Sequence, residues 1–78
     1  MLADTLEHLV KGIVDHPDDV EVVAQSSARG EVLEVRVPPE DLGRVIGRGG
    51  RTAKALRTVI SSLADGRRVR VDVVDTDQ

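Results

Sequence analysis

The 78-residue chain contains no cysteine, phenylalanine, tyrosine or tryptophan. Without cysteine it has neither a disulfide framework nor a thiolate metal site, a composition that suits a reducing cytoplasm. Without aromatic rings it has no stacking platform, which excludes RNA recognition motifs and most OB-type surfaces, because these hold bases on aromatic side chains. No apolar run approaches the roughly 18 residues of a membrane span. The opening segment, Met1-Leu2-Ala3-Asp4-Thr5-Leu6-Glu7, is acidic and amphipathic, unlike the cationic and then apolar start of a secretory signal. A single small cytoplasmic domain is therefore expected, burying about 60% of the surface its unfolded chain exposes. With no staples such a domain relies on packing, and partner binding or self-association would stabilise it further.

The net charge of −3 argues at first against a nucleic-acid partner. Its distribution reverses that argument. Residues 1–41 carry 3 Lys and Arg against 10 Asp and Glu, residues 42–70 carry 8 against 1, and residues 71–78 carry 0 against 3. Binding to a polyanion depends on local charge over one surface rather than on the average. A solvated helix face also clusters charge in this way, but the glycines in the same basic segment weigh against that reading.

Leu2, Leu6, Leu9, Val10, Ile13 and Val14 recur at helical spacing, with Asp4 and Glu7 near the start and Pro17 beyond the end, so an amphipathic helix is predicted over residues 2–15. Val20, Val22 and Ala24 alternate with Glu21, Val23 and Gln25, and after the polar stretch 26–30 Leu33, Val35 and Val37 alternate with Glu34 and Arg36. This pattern predicts a hairpin of two strands. Pro39 suits the first turn of a short helix running to about Ile46, with Glu40 and Asp41 at its positive end. From Arg51, the stripe Ala53, Leu56, Ile60 and Leu63 predicts a further helix closed by Asp65-Gly66. Val69, Val71 and Val73 then alternate with Arg68, Arg70 and Asp72 as a third strand, followed by a polar tail expected to fray. Three strands with one apolar face need cover, so all three helices are expected on one side of the sheet in a two-layer α+β domain.

Gly47 and Gly50 are separated by two residues and fall between two helices. Such a loop reaches φ values that other residues avoid and presents no Cβ to a ligand, leaving backbone N–H groups open to phosphate oxygens. The start of the helix near Arg51 adds unpaired N–H groups and the positive end of a dipole. Arg48, Arg51 and Lys54 are placed to reach a nucleic-acid backbone, and Ile46, Ala53 and Val37 are expected to form an apolar floor for bases. Other phosphate motifs do not fit. A Walker A loop requires glycine five residues before Gly50 and lysine after it, whereas Val45 and Arg51 occupy those positions.

Val45-Ile46-Gly47-Arg48-Gly49-Gly50 followed by Arg51-Thr52-Ala53 resembles the I-G-x-x-G signature of the KH domain, whose loop clamps a backbone of about four nucleotides. The order α-β-β-α-α-β resembles the bacterial type II KH arrangement, with a three-stranded sheet and three helices packed on one face. On that basis one KH domain spans residues 1–78, its ordered core reaching 74 and a polar tail covering 75–78. The whole chain, including Gly43-Arg44-Val45-Ile46-Gly47 and Arg51-Thr52-Ala53-Lys54-Ala55-Leu56-Arg57-Thr58, is similar to the KhpA family of small single-domain RNA-binding proteins. The resemblance implies that Gly47, Arg48, Gly49 and Gly50 form the clamp and that Ile46 and Ala53 line the groove beside it. It further implies single-stranded RNA as ligand, self-association, a second KH protein, KhpB (also called Jag or EloR), as partner, and a role in RNA regulation or chaperoning without a cofactor. Single-stranded DNA stays open as an alternative ligand. One departure is Gly49, at a position where the family commonly carries a polar or basic side chain; it makes the loop more flexible and removes one cation.

The remaining candidates point away from chemistry. His8 lies four residues after Asp4 and His16 follows Asp15, but a metal site needs three or four converging ligands, so none is expected. The early carboxylates look like solvated faces rather than an acid/base pair, and no catalytic function is expected. Gly43 interrupts the short helix at a cost of about 1 kcal/mol relative to alanine, which suggests a close packing approach to the next helix. Ala55 and Val59 widen the apolar face of the last helix; they either complete the core or form a dimer contact. A protein-interaction module in which RNA is secondary, or an accessory role in ribosome maturation, remain the alternatives to an RNA clamp.

Overall fold

The computed structural model describes residues 1–76. Along the chain lie α1 (Leu2–Lys11), β1 (Glu21–Ser27), β2 (Gly30–Val37), α2 (Pro39–Ile46), α3 (Arg51–Ala64) and β3 (Val69–Asp75), with single 3-10 turns at Pro17–Asp19 and Arg48–Gly50. The sheet order is β1-β2-β3. β1 and β2 form the expected antiparallel hairpin, and β3 runs parallel to β2, reached by a crossover through α2 and α3. Alternation then decides the faces. Leu33, Val35, Val37 and Val71 turn inward and are buried, and α1, α2 and α3 all pack on that side. The opposite face carries Glu34, Arg36, Arg70 and Asp72, tied by Arg36–Glu34 at 2.6 Å and Arg70–Asp72 at 3.0 Å, and is suited to water.

The first helix ends at Lys11, four residues before the predicted end at 15. Gly12 donates to the His8 carbonyl at 3.2 Å, and beyond it the chain leaves the helix. Ile13 and Val14 still donate to the Val10 carbonyl at 2.9 and 3.2 Å, and the two N–H groups after them find another acceptor. Asp15 and His16 donate to the two carboxylate oxygens of Asp41 at 3.1 and 3.0 Å, so a tertiary bond replaces the helical one. Val14 stays buried without being helical, which is why the apolar spacing runs past the real end. Asp41 is fully buried in the first turn of α2 and also holds His16 Nδ1 at 2.9 Å. Arg44 adds an ion pair to Asp15 at 3.2 Å. The segment after α1 is thereby fastened to the helix that leads into the glycine loop.

In α3 the buried stripe is Ala53, Leu56, Ile60 and Ala64. Leu63, predicted in the stripe, is 53% exposed, because the step of four residues from Ile60 keeps Ala64 on the buried face while Leu63 falls at its margin. Asp65 closes the helix in the left-handed conformation, followed by Gly66, as the sequence suggests. At the other end of the chain, β3 continues to Asp75, which pairs with Val37, and Thr76 N–H donates to the Val37 carbonyl at 3.0 Å. Residues 75 and 76 of the expected tail are therefore tied to the sheet, while Asp77 and Gln78 lie outside the described residues. Among the described residues no helix is long and apolar enough to cross a membrane.

Candidate nucleic-acid interface

The loop is built by three glycines with positive φ between α2 and α3. Gly47 (φ 76) ends α2, its N–H donating to the Gly43 carbonyl at 2.8 Å. A Cβ at Gly47 would collide with Thr52 Oγ1 and lie 2.8 Å from the Thr52 backbone nitrogen, so the chain passes there only without a side chain. Gly49 (φ 64) and Gly50 (φ 78) complete the turn, and an added Cβ at either would meet nothing within 4 Å. Their role is conformational, and the space around them is open. α3 starts at Arg51 with no side-chain cap, its first N–H donating to the Arg48 carbonyl within the turn, and its positive dipole end lies beside the loop.

Arg48, Arg51 and Lys54 are all placed around this opening, and all three are exposed. Among the described residues none of the three forms an ion pair, in contrast to Arg44, Arg67 and Arg70. The apolar floor differs from the expectation. Ile46 is 38% exposed at the lip of the loop, but Ala53 is only 6% exposed and Val37 is wholly inside the core. Val37 is therefore corrected from floor to core: it is the inward-facing end of central strand β2 and packs under the helices. Gly43 is also corrected, since a Cβ there would meet nothing within 4 Å and no neighbouring backbone approaches.

Sequence reasoning does not assign a role to Arg57. Its Nε donates to the Val71 carbonyl at 3.1 Å, fastening α3 to β3 one turn beyond Lys54. Its place in the basic segment, three residues after Lys54, is the only local signal; the carbonyl it meets lies 14 residues on. Ala55 and Val59 do not complete the core. They line an apolar groove between α1 and α3 with Leu9, Gly12, Ile13 and Thr52, and Val59 is 43% exposed.

An α-β-β-α-α-β chain whose mixed three-stranded sheet carries three helices on one face, with a glycine loop joining the second and third helices, is a type II KH domain. A family model described as KhpA/KhpB, KH domain matches residues 3–74. The chain belongs to that family. It is 83% identical over 75 residues to the RNA-binding protein KhpA of Leifsonia xyli subsp. xyli, covering 96% of this chain and 99% of the relative. The RNA-binding protein KhpA of Streptomyces coelicolor is 66% identical over 77 residues (99% of this chain, 96% of the relative). That of Mycobacterium tuberculosis is 62% identical over 78 residues (100% and 96%).

Proposed function

We propose that this chain is a non-catalytic cytoplasmic protein that clamps the backbone of single-stranded RNA in the loop Gly47 to Gly50, acting in RNA regulation or chaperoning. The observation that carries this reading is the coincidence of an open, positive-φ loop, a helix start with no side-chain cap and three cations, Arg48, Arg51 and Lys54, that form no ion pair among the described residues, at one place. The relatives' description as RNA-binding proteins supports it. Loop N–H groups and the α3 dipole would meet phosphate oxygens, the arginines would add charge-assisted bonds, and Ile46 with the edge of Ala53 would offer aliphatic contact to a base. The test is titration of a labelled single-stranded RNA, by fluorescence anisotropy, against Arg48→Asp/Gly49→Asp. Aspartate tolerates the left-handed region and an added Cβ at 49 has room, so the variant should fold. Loss of binding is expected; unchanged affinity would sink the clamp.

A second activity is favoured by the exposed groove holding Ala55 and Val59: pairing with another copy of this chain, with a KhpB-type KH protein as the alternative occupant. Two linked clamps would raise avidity through effective concentration. Val59→Asp should give a monomer in sedimentation equilibrium while keeping loop contact with RNA. A dimer that survives this change would move the interface elsewhere.

A further inference from the structure

The end of the domain opposite the glycine loop carries a second group of cations that the clamp does not use. Arg67 and Arg68 lie in the connection between α3 and β3, Arg70 on β3, and Arg29 in the turn between β1 and β2. All four are exposed and line one open depression together with Ser61 of α3. The three elements are pinned to each other there. Glu31 N–H donates to the Arg68 carbonyl at 2.9 Å, and a Cβ at Gly30 would stand 2.6 Å from that same oxygen. The arginines thus project from a fixed platform rather than from independent loops.

Acidic neighbours neutralise part of the group. Arg67 pairs with Glu31 at 3.4 Å and Arg70 with Asp72 at 3.0 Å, and Asp65 stands at the end of α3. Arg29 and Arg68 form no ion pair among the described residues. The large exposed apolar side chains, Met1, Ile46, Val59 and Leu63, all lie outside the depression, so it lacks the anchors on which a protein interface concentrates its energy. Planar guanidinium forks without such anchors match phosphate oxygens, which they bind in pairs of parallel bonds. α3, with 14 residues, separates the platform from the clamp by about 20 Å. Lys54, Arg57 and Ser61 follow one another along that helix at spacings of three and four, giving a polar and cationic track between the two ends.

We infer that Arg29 and Arg68, supported by Arg67 and Arg70, form a second phosphate-binding surface, so that RNA longer than the clamp's own footprint is held at both ends of α3. The inference rests on the proposed RNA clamp and adds a site to it. Its test compares a tetranucleotide with a dodecanucleotide of the same base composition, by nuclear magnetic resonance titration and anisotropy, on the full chain and on Arg29→Glu/Arg68→Glu. Both residues are exposed and form no ion pair among the described residues, and Arg67 is left in place to keep its bond to Glu31, so the fold should be retained. The variant should bind the tetranucleotide as the unaltered chain does and the dodecanucleotide more weakly. Each phosphate neutralised adds roughly 0.7 to the log-log salt slope, so two of them make the advantage of the unaltered chain for the longer RNA shrink by roughly sevenfold between about 50 and about 200 mM salt. Equal dodecanucleotide binding with an unchanged salt slope would overturn the second surface and leave the clamp standing. Failure of the unaltered chain to bind either RNA would overturn both. Displacement of the dodecanucleotide from the platform alone by an equal concentration of polyglutamate would also overturn it, marking the surface as one for acidic protein.

Discussion

Replacing Gly47 with alanine tests whether one close approach sets the shape of the loop. At φ 76 a residue with a Cβ costs about 1–2 kcal/mol. The new Cβ would also meet Thr52: its Oγ1 in collision, its Cβ at 2.7 Å and its backbone nitrogen at 2.8 Å. Rotating the hydroxyl relieves only the first, because the nitrogen belongs to the opening turn of α3 and moves only with the helix. Forced repacking of this kind adds about 1–3 kcal/mol, for a total of about 2–5 kcal/mol. Gly49→Ala is the matched control, with φ 64 and nothing within 4 Å, and should lose only the conformational part, about 1–2 kcal/mol. In a domain of this size each 1 kcal/mol shifts Tm by roughly 4–8 °C, so thermal melts followed by circular dichroism separate the two variants. Adding Thr52→Ala to Gly47→Ala should recover a fraction of the loss. Equal melting temperatures for the two glycine variants, or full recovery on removing the Thr52 hydroxyl and methyl, would refute the argument that the backbone nitrogen is the obstacle.

Alanine at Arg48, Arg51 or Lys54 should weaken RNA binding with little dependence on sequence and flatten the log-log salt dependence by roughly 0.7 for each phosphate no longer neutralised; an unchanged slope would mean that the side chain does not meet the backbone. Gly43→Ala should stabilise the domain by about 0.4–1 kcal/mol, since the position is helical and the added Cβ meets nothing within 4 Å, and a lower denaturation midpoint would contradict the open space seen there. Stability should also depend on pH through His16 and Asp41. The hydrogen bond and charge of Asp41 raise His16 above its ordinary 6.5, so that contribution is complete below about 6.5 and lost as pH rises through the folded-state value. Burial pushes Asp41 up, but the N–H bonds from Asp15 and His16 and the His16 ring outweigh it and hold the carboxyl below its ordinary 3.8, so its contribution is present above 3.8 and lost as pH falls through the folded-state value. Urea midpoints should therefore be highest between these limits, and His16→Gln should abolish the decline on the alkaline side; a decline of the same size in that variant would assign it to another group.

Most of the misreadings have one pattern: they concern residues whose role depends on a partner far away in the chain. Apolar spacing carries the first helix to residue 15, but the N–H groups of Asp15 and His16 turn to Asp41, 26 and 25 residues on. Val37 has the hydrophobicity of a groove residue, and only its inward position on the central strand puts it in the core. Gly43 has the look of a packing glycine, yet nothing approaches it. Arg57 and the arginines at the far end of α3 are visible as charge and invisible as surfaces, because β3 and the β1–β2 turn reach them only after the sheet has formed.

The sequence by itself determined the order of the elements and the place of the glycine loop. Both are written in local terms: side-chain periods of two and about 3.6, proline at a helix start, and backbone angles that only glycine adopts at little cost. It also determined that the positive charge gathers in residues 42–70 of an acidic chain. Tertiary structure decided which of those charges are free and which are spent on carboxylates, and that β3 lies parallel to β2. It also set Asp41 as the fastener beneath the loop and opened a groove between α1 and α3. These outcomes depend on distances between residues remote in sequence, which neither spacing nor composition encodes.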